Sequence, residues 1–304
     1  MPNRLCDLLG VGVPILQAPM TYIANATLAA AVSDAGGLGI IETASPAGRA
    51  DLTRVRELTD RPVGANVALV MMRDPAIVDV LVDAGIRFVT TSAGDPAVFT
   101  DLLHQAGITV FHVVGSLRAA LKADAAGVDG LVVEGVEGGG FKSATGASTM
   151  VVLPLVTSRV DLPVVAAGGI CDARSMAAAM VLGADGVQLG TRMLASAESP
   201  VHDNFKQAVV DASEMDTLLV SSPGMPTMRV IRTTASEAAH LGRDPGGGLA
   251  RVRDLYFNGE MDAALANTGQ VAGRIGSVRL VADIIDEMWT GCLAALEDGR
   301  RRLV

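Results

Sequence analysis

The hydrophobic pattern has a repeating unit: a helical stretch closes on Ala-Gly or Gly-Ala, and an apolar, β-branched run follows at once. It recurs as DAGGLGII (Asp34 to Ile41), DAGIRFVTT (Asp83 to Thr91), QAGITVFHVV (Gln105 to Val114), AAGVDGLVVE (Ala125 to Glu134) and LGADGVQLG (Leu182 to Gly190). Glycine just past a helix end accepts the left-handed backbone that stops the helix, and the run after it reads as a buried strand. The order predicts eight strands: Ile15 to Met20, Leu38 to Glu42, Val63 to Leu69, Phe88 to Ser92, Thr109 to Val114, Gly130 to Glu134, Val164 to Ala167 and Gly186 to Leu189. The helices between them are amphipathic or Ala-rich, as in Thr27 to Ala35, Ala76 to Ala84 and Ser116 to Ala126. Strand and helix alternating at this spacing imply a parallel sheet. Eight such units fit a closed α/β (β/α)8 TIM barrel better than an open doubly wound sheet.

After the eighth strand the rhythm breaks. Residues 198–267 hold two short strand-like runs, Thr217 to Ser221 and Met228 to Thr233, with Gly- and Pro-containing loops at 223–226 and 244–248. The last good helix is late, Val278 to Leu296. The reading is a barrel over 1–197 and 268–304 with an insertion or cap over 198–267 on the face where barrel active sites lie.

The densest chemistry is Pro163 to Met193, with an apolar strand, the Gly168-Gly169 turn, a helix over Asp172 to Leu182, and a strand ending on Gly190-Thr191-Arg192. Backbone N–H groups at such turns approach an anion closely, and a helix start adds positive field. In an eight-stranded barrel the loops after strands seven and eight hold phosphate, so the pair of turns points to a phosphorylated ligand.

Composition narrows the field. Half of the 304 residues are hydrophobic and only 3% aromatic, which suits parallel strands buried on both faces. A net charge of −9 without a Lys/Arg cluster argues against nucleic acid and against an anionic membrane. With no start-transfer signal and no long apolar run, a cytoplasmic protein is expected. The three cysteines, Cys6, Cys171 and Cys292, are far apart and read as thiols rather than metal ligands or a disulfide. A homodimer is compatible with all of this.

At the strand ends sit Gln17 to Met20, Asn66, His112, Glu134 to Lys142 (EGVEGGGFK), Gly168, Gly169 and Gln188 to Thr191. A mouth poor in acids and bases but rich in glycine and amide suits a flat cofactor better than a hydrolytic triad. As a set, QAPM in strand one, DAGGLG after the first helix, Asn66, the EGxExGG loop, AAGGI and QLGTRML resemble the 2-nitropropane dioxygenase or nitronate monooxygenase family of FMN-dependent barrels, which also holds flavin-dependent enoyl-thioester reductases and quinone reductases.

The resemblance, from about Pro14 to Lys206, implies that Ala18, Pro19 and Met20 lie along the isoalloxazine. It implies that Asn66 bonds the ring or ribityl chain, that Glu134 and Gly139 line the flavin, and that Gly168, Gly169, Gln188, Leu189, Gly190 and Thr191 hold the phosphate. The expected substrates are a nitronate, a quinone or an acyl thioester, with NADH or NADPH as electron donor. The chain departs from the family twice. Glu134 stands where Gln is usual, and Phe141 stands where the family has its catalytic histidine; phenylalanine moves no proton. His112, Glu134 and Lys142 are the candidate substitutes. Two other classes stay open: a flavin-binding protein without catalysis, and an inosinate dehydrogenase type, which needs a loop cysteine that 134–150 lacks.

Overall fold

The computed structural model describes residues 3–142, 146–221, 226–243 and 251–303. In chain order its elements are α1 (Arg4–Leu9), β1 (Ile15–Gln17), α2 (Ala26–Asp34), β2 (Gly39–Glu42), α3 (Pro46–Arg54), β3 (Val63–Ala68), α4 (Ile77–Asp83), β4 (Phe88–Ser92), α5 (Thr100–Gln105), β5 (Thr109–Val114), α6 (Leu117–Ala125) and β6 (Gly130–Glu134). There follow β7 (Gly140–Phe141), α7 (Thr149–Thr157), β8 (Val164–Ala167), α8 (Ala173–Val181), β9 (Gly186–Leu189) and α9 (Thr191–Leu194). The chain ends with α10 (Asp203–Val210), β10 (Thr217–Val220), β11 (Met228–Ile231), α11 (Thr234–His240), α12 (Val252–Asn258) and α13 (Val281–Arg301).

Eight parallel strands run in the order β1-β9-β8-β6-β5-β4-β3-β2. A parallel bridge between Leu16 and Leu38 closes the ring, and Gln17 Oε1 accepts the Ile40 N–H across the same seam at 3.2 Å. The expected (β/α)8 barrel is therefore present. The glycines that close the repeats, Gly85, Gly107, Gly127 and Gly183, all have positive φ, as their helix-ending role requires. Side-chain caps fix several starts: Asn25 accepts from Leu28 N, Ser116 from Ala119 N, and Asp172 forms a capping box with Ser175.

Alternation along the strands sorts their side chains into two layers. Ile15, Ile41, Ala65, Val67, Val89, Val110, Val114, Val133, Ala166, Val187 and Leu189 pack outward against the helices. Leu16, Ile40, Phe88, Phe111, Val132, Val165 and Ala167 fill the lumen, whose floor is plugged by Leu5 and Leu9 of α1. Phe88 and Phe111 meet edge to face at 5.1 Å. Glycine makes their room: a Cβ on Gly64 would lie 2.8 Å from the Phe88 ring, and one on Gly130 would enter the Phe111 ring.

Some boundaries differ from expectation. β1 stops at Gln17 rather than Met20, since Pro19 has no N–H to continue a ladder. Among its described residues, 198–267 holds three α-helices as well as the two expected strands. Residues 223–225 of the first expected loop and all of the second, 244–248, lie outside the described residues. The least foreseeable element is β7, only two residues long, which pairs antiparallel with β11 in a three-stranded sheet β10-β11-β7. That sheet brings the late segment onto the loop after β6. No helix among the described residues is long and apolar enough to cross a membrane.

Candidate active site

At the carboxyl ends of the strands, alternation directs Asn66 of β3, Thr90 of β4, Glu134 of β6 and Gln188 of β9 into the lumen, each flanked in its strand by outward-packed residues. Asn66 Oδ1 accepts the Thr90 hydroxyl at 2.9 Å, which fixes the amide with its NH2 as the remaining donor. Gln188 is 7% exposed, and its Oε1 has no hydrogen-bond partner among the described residues. A buried acceptor without a donor is costly unless something else supplies one.

Glu134 faces Lys142, with Nζ 2.5 Å from Oε1, and the lysine side chain is 2% exposed. Burial raises the Glu134 pKa, and the ammonium beside it offsets part of that rise. A Cβ on Gly138 would lie 2.7 Å from Lys142 Nζ, so the pair rests directly on that glycine.

Two glycine turns flank this ring. Gly168 and Gly169 both have positive φ, and a Cβ on Gly168 would meet the Gly135 carbonyl at 2.9 Å. Gly190 precedes α9, whose first-turn amides have no partner within the helix. Ala18 N donates to Leu189 O at 2.9 Å, so half-buried Ala18, Pro19 and Met20 leave the barrel beside Gly190. Thr191 Oγ1 accepts the Gly269 N–H at 2.8 Å and keeps its own hydrogen to donate. The far side of Gly168 and Gly169 opens on a cavity of about 330 Å³ whose lining includes Thr149, Arg174 and Arg274.

One expected placement needs correction, that of His112, and two other expected residues, Leu189 and Gly139, show a packing role. His112 is not at the mouth. It follows lumen-facing Phe111 on β5, so the pleat turns it into the helix layer, where Nδ1 lies 2.7 Å from Thr91 Oγ1 and the ring is 5% exposed. Burial lowers its pKa to about 4, and its nearby charges are the paired Asp95 and Lys122. Leu189 turns its side chain into the outer layer, and its carbonyl is spent on Ala18. Gly139 lies against the backbone of 268–269, where a Cβ would come within 2.9 Å of Gly269 N, so its first role is close packing.

Sequence reasoning missed several groups. Glu137 accepts from Thr149 N and Oγ1, tying the loop after β6 to the start of α7. Glu42 accepts from the N–H groups of Tyr22 and Ser45 and from the Ser45 hydroxyl. Arg229 of β11 donates to Val136 O and Thr217 Oγ1. Only the Ser-x-x-Gly start of α3 hinted at any of these partners. His104 pairs with Asp129, His202 caps α10, and His240 bonds Leu219 O; all three stand away from the lumen ring.

The nitronate monooxygenase family model matches residues 3–76 and 70–291. A Rhodococcus jostii protein, (3aS,4S,5R,7aS)-5-hydroxy-7a-methyl-1-oxo-octahydro-1H-indene-4-carboxyl-CoA dehydrogenase, is 35% identical over 76% of this chain and 66% of its own length. A nitronate monooxygenase of Paraburkholderia phytofirmans is 30% identical over 80% of this chain and 79% of its own. FabK from Thermotoga maritima superposes with a TM-score of 0.91 at 33% identity, covering 99% of both chains. With the barrel, the glycine turns and this match over nearly its full length, the chain belongs to the nitronate monooxygenase family of flavin-dependent oxidoreductases.

Proposed function

We propose that the barrel mouth binds FMN and that the chain is an FMN-dependent oxidoreductase of an acyl thioester. The observation that carries the cofactor is the orphaned Gln188 Oε1 in the lumen, flanked by the two glycine turns. An N–H or hydroxyl donor of the flavin would satisfy that acceptor, and a ribityl phosphate would suit the N–H groups of Gly169, Gly190 and Thr191. Asn66 offers its NH2 to the ring or ribityl chain, and Ala18 to Met20 supply a half-buried strip of backbone along one ring face. Bound there, the flavin supplies two-electron redox chemistry.

The chain's own residues orient and dehydrate the site. Residues 198–267 act as a cap whose contacts with the barrel include the pairing of β11 with β7, the Arg229 bond to Val136 O, and Arg253 stacked at 5.8 Å on Tyr22 beyond β1. Such a cover keeps water from a reactive cofactor. The thioester reading draws on the Rhodococcus relative's name. NADH or NADPH is the electron donor in the reducing direction. A second reading, nitronate oxidation, draws on the Paraburkholderia relative, against which stands Phe141 in the histidine position. Free thiols at Cys6, Cys171 and Cys292 suit a reducing cytoplasm.

A visible spectrum of the purified protein, then anaerobic addition of NADH, NADPH, an acyl-CoA and a propane nitronate in separate cuvettes, tests both readings. A flavin spectrum bleached by the acyl-CoA, or bleached by a nicotinamide and restored by an enoyl-CoA, is expected. Bleaching by the nitronate alone favours the second reading. A colourless protein that takes up no FMN overturns both.

A further inference from the structure

The short strand β7 decides which side chain of the loop after β6 reaches the mouth. Phe141 is in register with Met228 of β11, and Met228 with Val220 of β10. Directly opposed residues in a sheet share a face, and Met228 and Val220 lie on the face packed against Ala239 of α11. Phe141 thus points with them, at the edge of that face, and is 43% exposed. The ladder continues one residue further, since Lys142 N donates to Thr227 O at 2.8 Å. Its side chain takes the opposite direction and arrives, almost wholly buried, beside Glu134.

The other acids near the mouth are already engaged. Glu42 is spent on Tyr22 and Ser45, and Glu137 on Thr149. His112 faces outward. Lys142 Nζ, by contrast, makes only its close contact with Glu134 and no directional hydrogen bond among the described residues. A dry ammonium with unspent N–H groups, held by one carboxylate on an inward-facing strand end, is placed to exchange a proton with a ligand in the lumen.

We propose that Lys142 is the acid–base residue of this site, with Glu134 as its positioning partner, and that it moves the proton on the carbon α to a thioester carbonyl. The substrate class rests on the thioester reading above. With its ammonium proton passed to Glu134 across their contact, an N–H bond breaking as a carboxyl O–H bond forms, the amine takes the α-proton: the C–H bond breaks, a new N–H bond forms, and the C–H electron pair passes to the thioester carbonyl as an enolate. In reverse the ammonium returns the proton to carbon, and no redox change accompanies either step.

Exchange of the α-hydrogens of butyryl-CoA in deuterium oxide, followed by mass spectrometry on the FMN-loaded protein, reads this step without turnover. Wild type exchanges; Lys142→Met is expected to slow exchange by about 100-fold or more while keeping its flavin spectrum. Added methylamine restores exchange to Lys142→Ala in proportion to its concentration. Lys142→Arg keeps the charge beside Glu134 but holds its proton too tightly to act as a base, so it folds and fails to exchange, which guards against a Met variant that does not fold. Exchange at the wild-type rate in the Met or Arg variant overturns the proposal, as does a wild type that never exchanges. If such a wild type is still bleached by an acyl-CoA, the thioester reading survives and only the lysine step falls.

Discussion

The hydroxyl oxygen of Thr191 accepts the N–H of Gly269 at 2.8 Å, joining the turn after β9 to a segment 78 residues later. The same segment meets the loop after β6, because Gln270 N donates to Glu137 O at 2.8 Å. Three loops of the mouth are locked through this point. Thr191→Val strands a buried N–H and should cost about 1–3 kcal/mol. It should also weaken FMN binding about ten-fold, or about 1.4 kcal/mol, whereas Thr191→Ser should not. Thermal melts and a flavin fluorescence titration check both.

His112 gives a pH signature without a catalytic one. Its folded pKa of about 4 lies below the ordinary 6.5, so the unfolded chain binds the extra proton first as pH falls. Its neutral form costs nothing above about pH 6.5, and stability then declines toward pH 4, by on the order of 3 kcal/mol in all. Urea denaturation at pH 7 and pH 4.5 should show this loss, and His112→Phe should remove most of it. Turnover of His112→Phe should stay within about two-fold of wild type, as expected for a side chain in the helix layer.

Breaking the Glu134–Lys142 pair from one side should cost more than removing it. Glu134→Gln leaves a buried ammonium without its carboxylate, a loss of about 3–5 kcal/mol for a fully buried pair and less here, since Glu134 is partly exposed. The double variant Glu134→Gln, Lys142→Met should recover part of that loss in denaturant melts. Additive single and double effects would mean that the two groups do not interact.

Gly168 and Gly107 provide a matched contrast. Both have positive φ, but a Cβ on Gly107 meets nothing within 4 Å, while one on Gly168 meets the Gly135 carbonyl at 2.9 Å. Gly107→Ala should cost about 1 kcal/mol from backbone strain alone. Gly168→Ala should cost about 2 kcal/mol or more and displace the loop after β6. Loss of FMN uptake in the second variant but not the first is the outcome to look for.

The chain's own order of residues determined the barrel. Apolar runs ending at Ala-Gly turns are a local signal, because a helix stop and a buried strand are set by neighbours in sequence. For the same reason the glycine turns at Gly168-Gly169 and Gly190-Thr191 and the amides Asn66 and Gln188 were legible as a mouth. Tertiary structure alone decided which face each side chain took. His112 and Glu134 both stand near strand ends, yet one residue of pleat phase sends the first outward and the second inward. Phe141 and Lys142 are exchanged in the same way by a two-residue strand that exists only because β11 lies alongside it. A two-residue strand has too little period to read from sequence, and its partner lies more than 80 residues away.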